Sequence, residues 1–221
     1  MASWYDGALT TKQLRDNLNV LFVAGQENSQ LLIISSLYLL AKYPIQEKLR
    51  NEINTSTLKN ILRPPYDLQN LPYLTATILE CLRLLPPISQ LVNRRVSEPA
   101  WLADRIYLPQ GTYVGYNAYS TNRDPEAWGS DADEFRPERW GINSEQISRN
   151  YRRAKARAEF VSFHGGSRAC LGEKFALLEV RVTLLVLTNT LRWKLDSAWE
   201  DRMTSAGRLH PRDVRLHFRR V

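Results

Sequence analysis

This sequence is poor in the residues that build disulfide frameworks, bare-metal clusters and membrane spans. Its 221 residues include two cysteines, Cys81 and Cys170, and three histidines. Two cysteines cannot staple a small secreted fold, and their scarcity fits a reducing compartment. His164, His210 and His217 have no spacing to the cysteines that suits tetrahedral zinc, so each reads as a surface or strand histidine. The longest apolar stretch, Leu31 to Ala41, is too short to cross a bilayer and carries Ser35 and Ser36. No charged-then-apolar leader ending in small residues opens the chain. There is no internal repeat, and the one biased segment is an arginine-rich run. Collagen-like, multi-pass and disulfide-scaffold classes are excluded.

The rest of the composition is that of a packed protein. Hydrophobic residues make up 43%, enough for a core. Thirty Lys and Arg against 23 Asp and Glu give a net charge of +7. Such a balance favours acidic partners: an anionic cofactor, an acidic protein face, a membrane surface or nucleic acid.

The first half reads as helix. Leu14, Leu18, Leu21 and Phe22 recur at helical spacing, and no proline interrupts from Leu9 to Tyr43. Pro44 ends that run and opens a short amphipathic helix through Ile53. After a turn-rich stretch around Pro64, Pro65 and Asp67, Asn70 is the expected cap of a helix through Leu85, with Pro72 in its first turn. Pro86 and Pro87 stop it. Short strands are expected at Leu91–Val96, Trp101–Leu108 and Thr112–Tyr116, the last two joined by a turn at Pro109-Gln110-Gly111. Asp124 to Ser167 has little periodicity and reads as a long functional loop. A strong helix follows from Leu171 to Thr190, and Val214–Val221 alternates like a half-buried strand.

The chemistry concentrates in Phe163-His164-Gly165-Gly166-Ser167-Arg168-Ala169-Cys170-Leu171-Gly172. A cysteine just before a helix meets the positive end of the helix dipole and free backbone N–H groups, which favour an anionic sulfur. Gly166 permits a tight turn, and Gly172 removes a Cβ where something bulky must approach the backbone. Arg168 is placed to bind a carboxylate, and Phe163 can shield the sulfur. Together they describe a pocket for a flat, dianionic metal macrocycle.

Phe163-x-x-Gly166-x-Arg168-x-Cys170-x-Gly172 resembles the heme-binding signature of the cytochrome P450 family. The family is the standard case of cysteine-thiolate heme ligation. The resemblance implies heme b with Cys170 as the axial ligand to iron, and a mainly α fold with a small β component. It covers the carboxyl-terminal half of that fold, so residues 1–221 are expected to be a partial cytochrome P450 domain lacking the amino-terminal membrane anchor and distal segments. Cys81, on an apolar helix, reads as a buried small hydrophobe.

Other matching elements follow in order. Glu80-Cys81-Leu82-Arg83 puts two charges one helical turn apart, where they can pair. Phe135-Arg136-Pro137-Glu138-Arg139-Trp140 resembles the family's P-E-R segment, which implies a buried structural triad of Glu80, Arg83 and Arg139. By the same resemblance one arginine of Arg94-Arg95 serves a heme propionate. Successive strand residues face opposite sides, and the distance from the preceding helix favours Arg94. Ala24-Gly25-Gln26-Glu27-Asn28-Ser29 falls mid-way along the first helix, where the family keeps an acid and a threonine for proton delivery. Glu27 is present, but Asn28 replaces the threonine; it can orient water and cannot relay a proton as a hydroxyl does. That departure suits removal of hydrogen from a phenol followed by radical coupling.

The wider combination, including Tyr113-Val-Gly-Tyr-Asn and Pro137-Glu-Arg-Trp-Gly141, is most similar to the fungal dityrosine-forming P450s of spore-wall synthesis and their filamentous-fungal relatives. It implies a small-molecule aromatic substrate, dioxygen, NADPH-cytochrome P450 reductase as electron donor, and an endoplasmic reticulum membrane setting for the full-length parent. The alternatives are a catalytically incompetent P450 remnant, and hydroxylation of another small molecule in fungal secondary metabolism. The run Arg149 to Arg157 reads first as a solvated helix face and next as a reductase-docking face. A single interleaved tyrosine, Tyr151, makes a poor nucleic-acid platform, and no nucleic acid is expected.

Overall fold

The computed structural model describes residues 9–56, 70–90, 94–204 and 208–221. Thr10 opens the first helix, α1 (Thr11–Lys42), with a capping box: its hydroxyl accepts from the Gln13 N–H while the Gln13 side chain accepts from the Thr10 backbone N–H. α2 (Gln46–Thr55) follows directly, as expected after Pro44. Its Arg50 is buried and donates to the carbonyls of Thr188 and Leu191.

α3 (Pro72–Leu84) begins with Pro72 in its first turn, but Asn70 does not cap it. The N-cap is Leu71, and the free N–H groups of Tyr73 and Leu74 donate instead to the carboxylate of Glu52 on α2, at 2.6 and 2.8 Å. A carboxylate from a neighbouring helix meets both the orphan donors and the positive helix end. Every residue of α3 from Ala76 to Leu84 is buried, which makes it a central rod with no solvent face. The expected turn-rich stretch around Pro64 lies outside the described residues.

The strand region is correctly located and differently paired. Trp101–Leu108 is a hairpin, not one strand: β2 (Ala100–Leu102) pairs antiparallel with β3 (Ile106–Leu108). Ala103 and Asp104 between them have φ of 51° and 55°, the left-handed pair that a tight hairpin turn demands. β4 (Tyr113–Val114) pairs not with β3 but with β1 (Arg94–Arg95). Residues 91–93 of the first expected strand lie outside the described residues.

The expected long loop contains more structure than its sequence pattern suggests. After a single turn, α4 (Ala118–Thr121), come α5 (Pro125–Trp128), a 3-10 turn at Pro137–Trp140, and α6 (Ser144–Ala156), capped by Asn143. Ile147 and Ala154 are buried and Tyr151 half-buried along one stripe of α6, so only three apolar positions mark its inner face. α7 (Glu173–Thr190) packs against α1, α2 and α3. It runs straight into β5 (Leu191–Leu195), which pairs antiparallel with β6 (Leu216–Arg220). No turn residue announces β5.

The core gathers the second half of α1, α2, α3 and α7 with Trp140, Phe160 and Phe163. Leu18, Leu21 and Phe22 on the first half of α1, and Phe175, Leu178 and Val182 on α7, are exposed. Among the described residues no helix is long and apolar enough to cross a membrane.

Candidate cofactor site

The cysteine loop rests on a buried polar knot. Glu80 and Arg83 are both fully buried and meet in a two-bond pair at 2.9 and 2.8 Å. Arg139 adds a 2.7 Å bond to the same carboxylate, and the Trp140 indole N–H donates at 2.9 Å. The two guanidinium groups spend their remaining donors on carbonyls of the long connection. Arg83 holds those of Asn122, Ala132 and Glu134; Arg139 holds those of Trp128 and Asp131. Glu80, Arg83 and Arg139 are thus brought together in one buried network.

Asn122, which sequence reasoning missed, ties this knot to the cysteine loop. It is fully buried; its side-chain oxygen accepts from the Val161 N–H at 3.0 Å and its amide donates to Ser162 Oγ at 2.8 Å. Ser162 in turn donates to the Leu82 carbonyl. The strand of chain entering the loop is therefore sewn to α3 just before Phe163.

Phe163 is buried, and its carbonyl accepts from the Cys170 N–H at 2.8 Å, closing the loop into a ring. Gly166 takes φ of 62°, so the tight-turn reading holds there, and a 3-10 turn at Gly166–Arg168 leads to the cysteine. A Cβ at Gly166 would meet nothing within 4 Å, and one at Gly172 would meet only Cys170 Sγ at 3.9 Å. Among the described residues no atom crowds either position, and Gly172 leaves open space beside the sulfur. Cys170 is exposed, whereas Cys81 is fully buried, its thiol pushed up to about 12 by burial.

Arg168 lies in the loop itself, and Arg94 and Arg95 are consecutive on β1. Arg168 is exposed, and neither it nor Arg94 has an acidic partner among the described residues. Arg95 lies over the Gly111 turn, its guanidinium 3.6 Å from where a Gly111 Cβ would stand. Arg94 is on the other side, close enough to Tyr116 and His164 to pull both of their titrations downward, although burial leaves Tyr116 raised overall. Tyr116 Oη sits 2.9 Å from His164 Nδ1, so His164 is neither a free surface group nor a strand residue.

Behind the loop, Glu173 in the first turn of α7 grips α6. It accepts from Tyr151 Oη at 2.7 Å and Lys155 Nζ at 2.5 Å. Burial and that carboxylate push the Tyr151 phenol well above its usual range. Arg149, Arg152 and Arg153 face solvent on the same helix, so the basic run is a solvated face beside the cysteine loop.

Glu27 and Asn28 have other engagements. Glu27 pairs with Arg208 of the carboxyl-terminal segment, and Asn28 Nδ2 donates to the Ala24 carbonyl at 3.2 Å. α1 continues unbroken through Gly25, but the Asn28 amide competes for a carbonyl of the helix ladder.

The arrangement fits a heme. An exposed thiol stands just before α7, Arg168 in its loop and Arg94 near His164 have no acidic partner among the described residues, and Leu171 and Phe175 present apolar surface at 90% and 65% exposure. Among the described residues no cluster of three His, Cys, Asp or Glu side chains could hold a bare metal ion. A sequence model of the family described as Cytochrome P450 matches residues 3–214.

The chain belongs to the cytochrome P450 family.

It is 48% identical over 94% of its length to Cytochrome P450-DIT2 of Saccharomyces cerevisiae, covering 42% of that protein. It is 40% identical to the Cytochrome P450 monooxygenase xanG of Aspergillus fumigatus over 91% of its length, and 34% identical to the Cytochrome P450 monooxygenase 91 of Postia placenta over 89%. The chain spans about two fifths of the length of these P450 relatives. Its mainly helical fold with short strands is that of a partial P450.

Proposed function

We propose that residues 1–221 form the thiolate-ligating part of a P450 monooxygenase that oxidises a small aromatic molecule with dioxygen. The carrying observation is the exposed Cys170 just before α7, in a loop closed on the Phe163 carbonyl, with Arg168 in the loop and Arg94 near His164 lacking an acidic partner among the described residues. Heme b bound there supplies dioxygen activation. Cys170 would ligate the iron, Phe163 would keep water from the sulfur, and Arg94 and Arg168 would hold the propionates. Gly166 and Gly172 keep the approach to the sulfur free of side chains.

Asn28 would orient water through its carbonyl oxygen, since its amide is spent on Ala24. Glu27 would carry a proton only when its pair with Arg208 opens. This weak proton relay suits hydrogen removal from a phenol, and we propose oxidative coupling of a tyrosine derivative as the reaction. Similarity to Cytochrome P450-DIT2 supports that choice within the dityrosine-forming group. The basic face of α6 would receive NADPH-cytochrome P450 reductase, and the full-length parent would work at the endoplasmic reticulum membrane.

A second reading, a heme-free remnant, is favoured by the exposure of Phe22 at 73% and of Phe175. The reduced carbon-monoxide difference spectrum of the purified chain, with heme quantified, separates the two. A red-shifted thiolate-type band at near-stoichiometric heme, lost in Cys170→Ser, is the expected result. A band unchanged in Cys170→Ser removes Cys170 from the site, and no heme uptake favours the remnant.

A further inference from the structure

The Tyr116–His164 pair is unexplained by the thiolate, the triad or the glycines. His164 is half-buried in the cysteine loop and holds φ of 61°. A side chain in the left-handed region costs on the order of 1–2 kcal/mol, so glycine is the default residue there. The phenol of Tyr116 reaches Nδ1 at 2.9 Å across 48 residues of sequence. A tyrosine hydroxyl donating to Nδ1 fixes the tautomer with the proton on Nε2. Arg94 stands near both rings and, with burial, disfavours a second proton on the imidazole. With Tyr116 as the donor, the imidazole is neutral and presents Nε2–H near Arg94, which has no acidic partner among the described residues.

A neutral donor next to a cation suits one class of ligand: a carboxylate that takes its charge complement from the arginine and a hydrogen bond from the imidazole. We propose that His164, oriented by Tyr116, is a third carboxylate-binding arm of the site and donates from Nε2 to the heme propionate held by Arg94. Tyr116 is a positioning residue, because it acts through His164. This rests on the reading of Cys170 and Arg94 given above.

The test compares heme with its dimethyl ester, which has the same ring and iron but no carboxylates. Both are titrated into the 221-residue chain and into His164→Gly, Tyr116→Phe and Arg94→Ala, with thermal unfolding of each apoprotein alongside. His164→Gly relieves the left-handed strain, so its apoprotein should unfold no earlier than the parent. It should bind free-acid heme about tenfold more weakly, as befits loss of one hydrogen bond to a charged group, and bind the ester unchanged. Tyr116→Phe should show a smaller loss, again confined to the free acid.

Equal losses for acid and ester, or none for His164→Gly, overturn the proposal. A Tyr116→Phe protein identical to the parent removes the positioning role. Failure of the wider reading looks different. Either the unsubstituted chain then gives no thiolate-type band with any heme, or Arg94→Ala leaves the acid-to-ester difference intact.

Discussion

Replacing Glu80 with glutamine keeps the side-chain volume and removes the charge at the most enclosed point of the protein. Its two oxygens accept five hydrogen bonds: from Arg83 Nε, Arg83 Nη2, Arg139 Nε, Trp140 Nε1 and the Arg136 N–H. Three of these meet Oε1 and two meet Oε2. Whichever way the glutamine amide is turned, its NH2 faces at least two donors; among the described residues Arg83 is left buried without a counter-charge, and Arg139 keeps only its 3.5 Å contact with Asp131. Breaking a buried ion pair from one side costs about 3–5 kcal/mol. A domain holds about 5–15 kcal/mol in all, so Glu80→Gln should lower the unfolding midpoint by about 6–20 °C in a chain of this size. Near-UV circular dichroism and tryptophan fluorescence report it directly, because Trp140 lies in the knot. The control is Asp201→Asn, which keeps an oxygen to accept from the buried Tyr38 hydroxyl, opens only the half-exposed pair with Lys42, and should cost under about 1 kcal/mol. A Glu80→Gln midpoint as close to the parent as that of Asp201→Asn would refute the reasoning, since it would mean the buried charge network carries no stability.

Thiol labelling should count one reactive cysteine in the native chain and two in denaturant, because Cys170 is exposed and Cys81 is buried in α3; two fast thiols in the native state would contradict the packing of α3. Gly141 has φ of 129°, and a Cβ there would stand 2.8 Å from Gln146 Cβ, so Gly141→Ala should lose about 1–3 kcal/mol in urea unfolding. Burial raises the Glu52 carboxyl despite the two N–H groups it accepts. A raised native value means the folded state holds its proton longer, so this group's contribution declines as pH rises from the ordinary glutamate range through the native value. Glu52→Gln should flatten the stability profile across that window; parallel profiles in urea titrations at stepped pH would refute it.

What could be seen in the chain itself was whatever depends on neighbours in sequence. The cysteine loop is a ten-residue motif whose thiol, glycines and arginine act within one turn and the start of α7. Glu80 and Arg83 are one helical turn apart, and the helix ends at Pro44 and Pro86 follow from proline's missing donor. α6 was only half visible, since three apolar residues mark its buried stripe and the rest of the segment is charged. The strands of the central region were placed correctly, but two-residue strands hold no information about their partners.

Tertiary structure decided which polar groups are satisfied by residues far along the chain. Glu52 caps α3 in place of Asn70, because α2 lies close enough to offer a full charge to the open helix end. Asn122 joins the triad to the cysteine loop across about 40 residues, and Tyr116 reaches His164 across 48. Glu27, on α1, meets Arg208 far along the chain. The local sequence determined the chemistry available at Cys170: a thiol, glycines that leave room, and arginines for carboxylates. Only the fold determined how that chemistry is held, because buried donors and acceptors must be met, and no pattern within a single segment records which distant partner the packed helices bring to them.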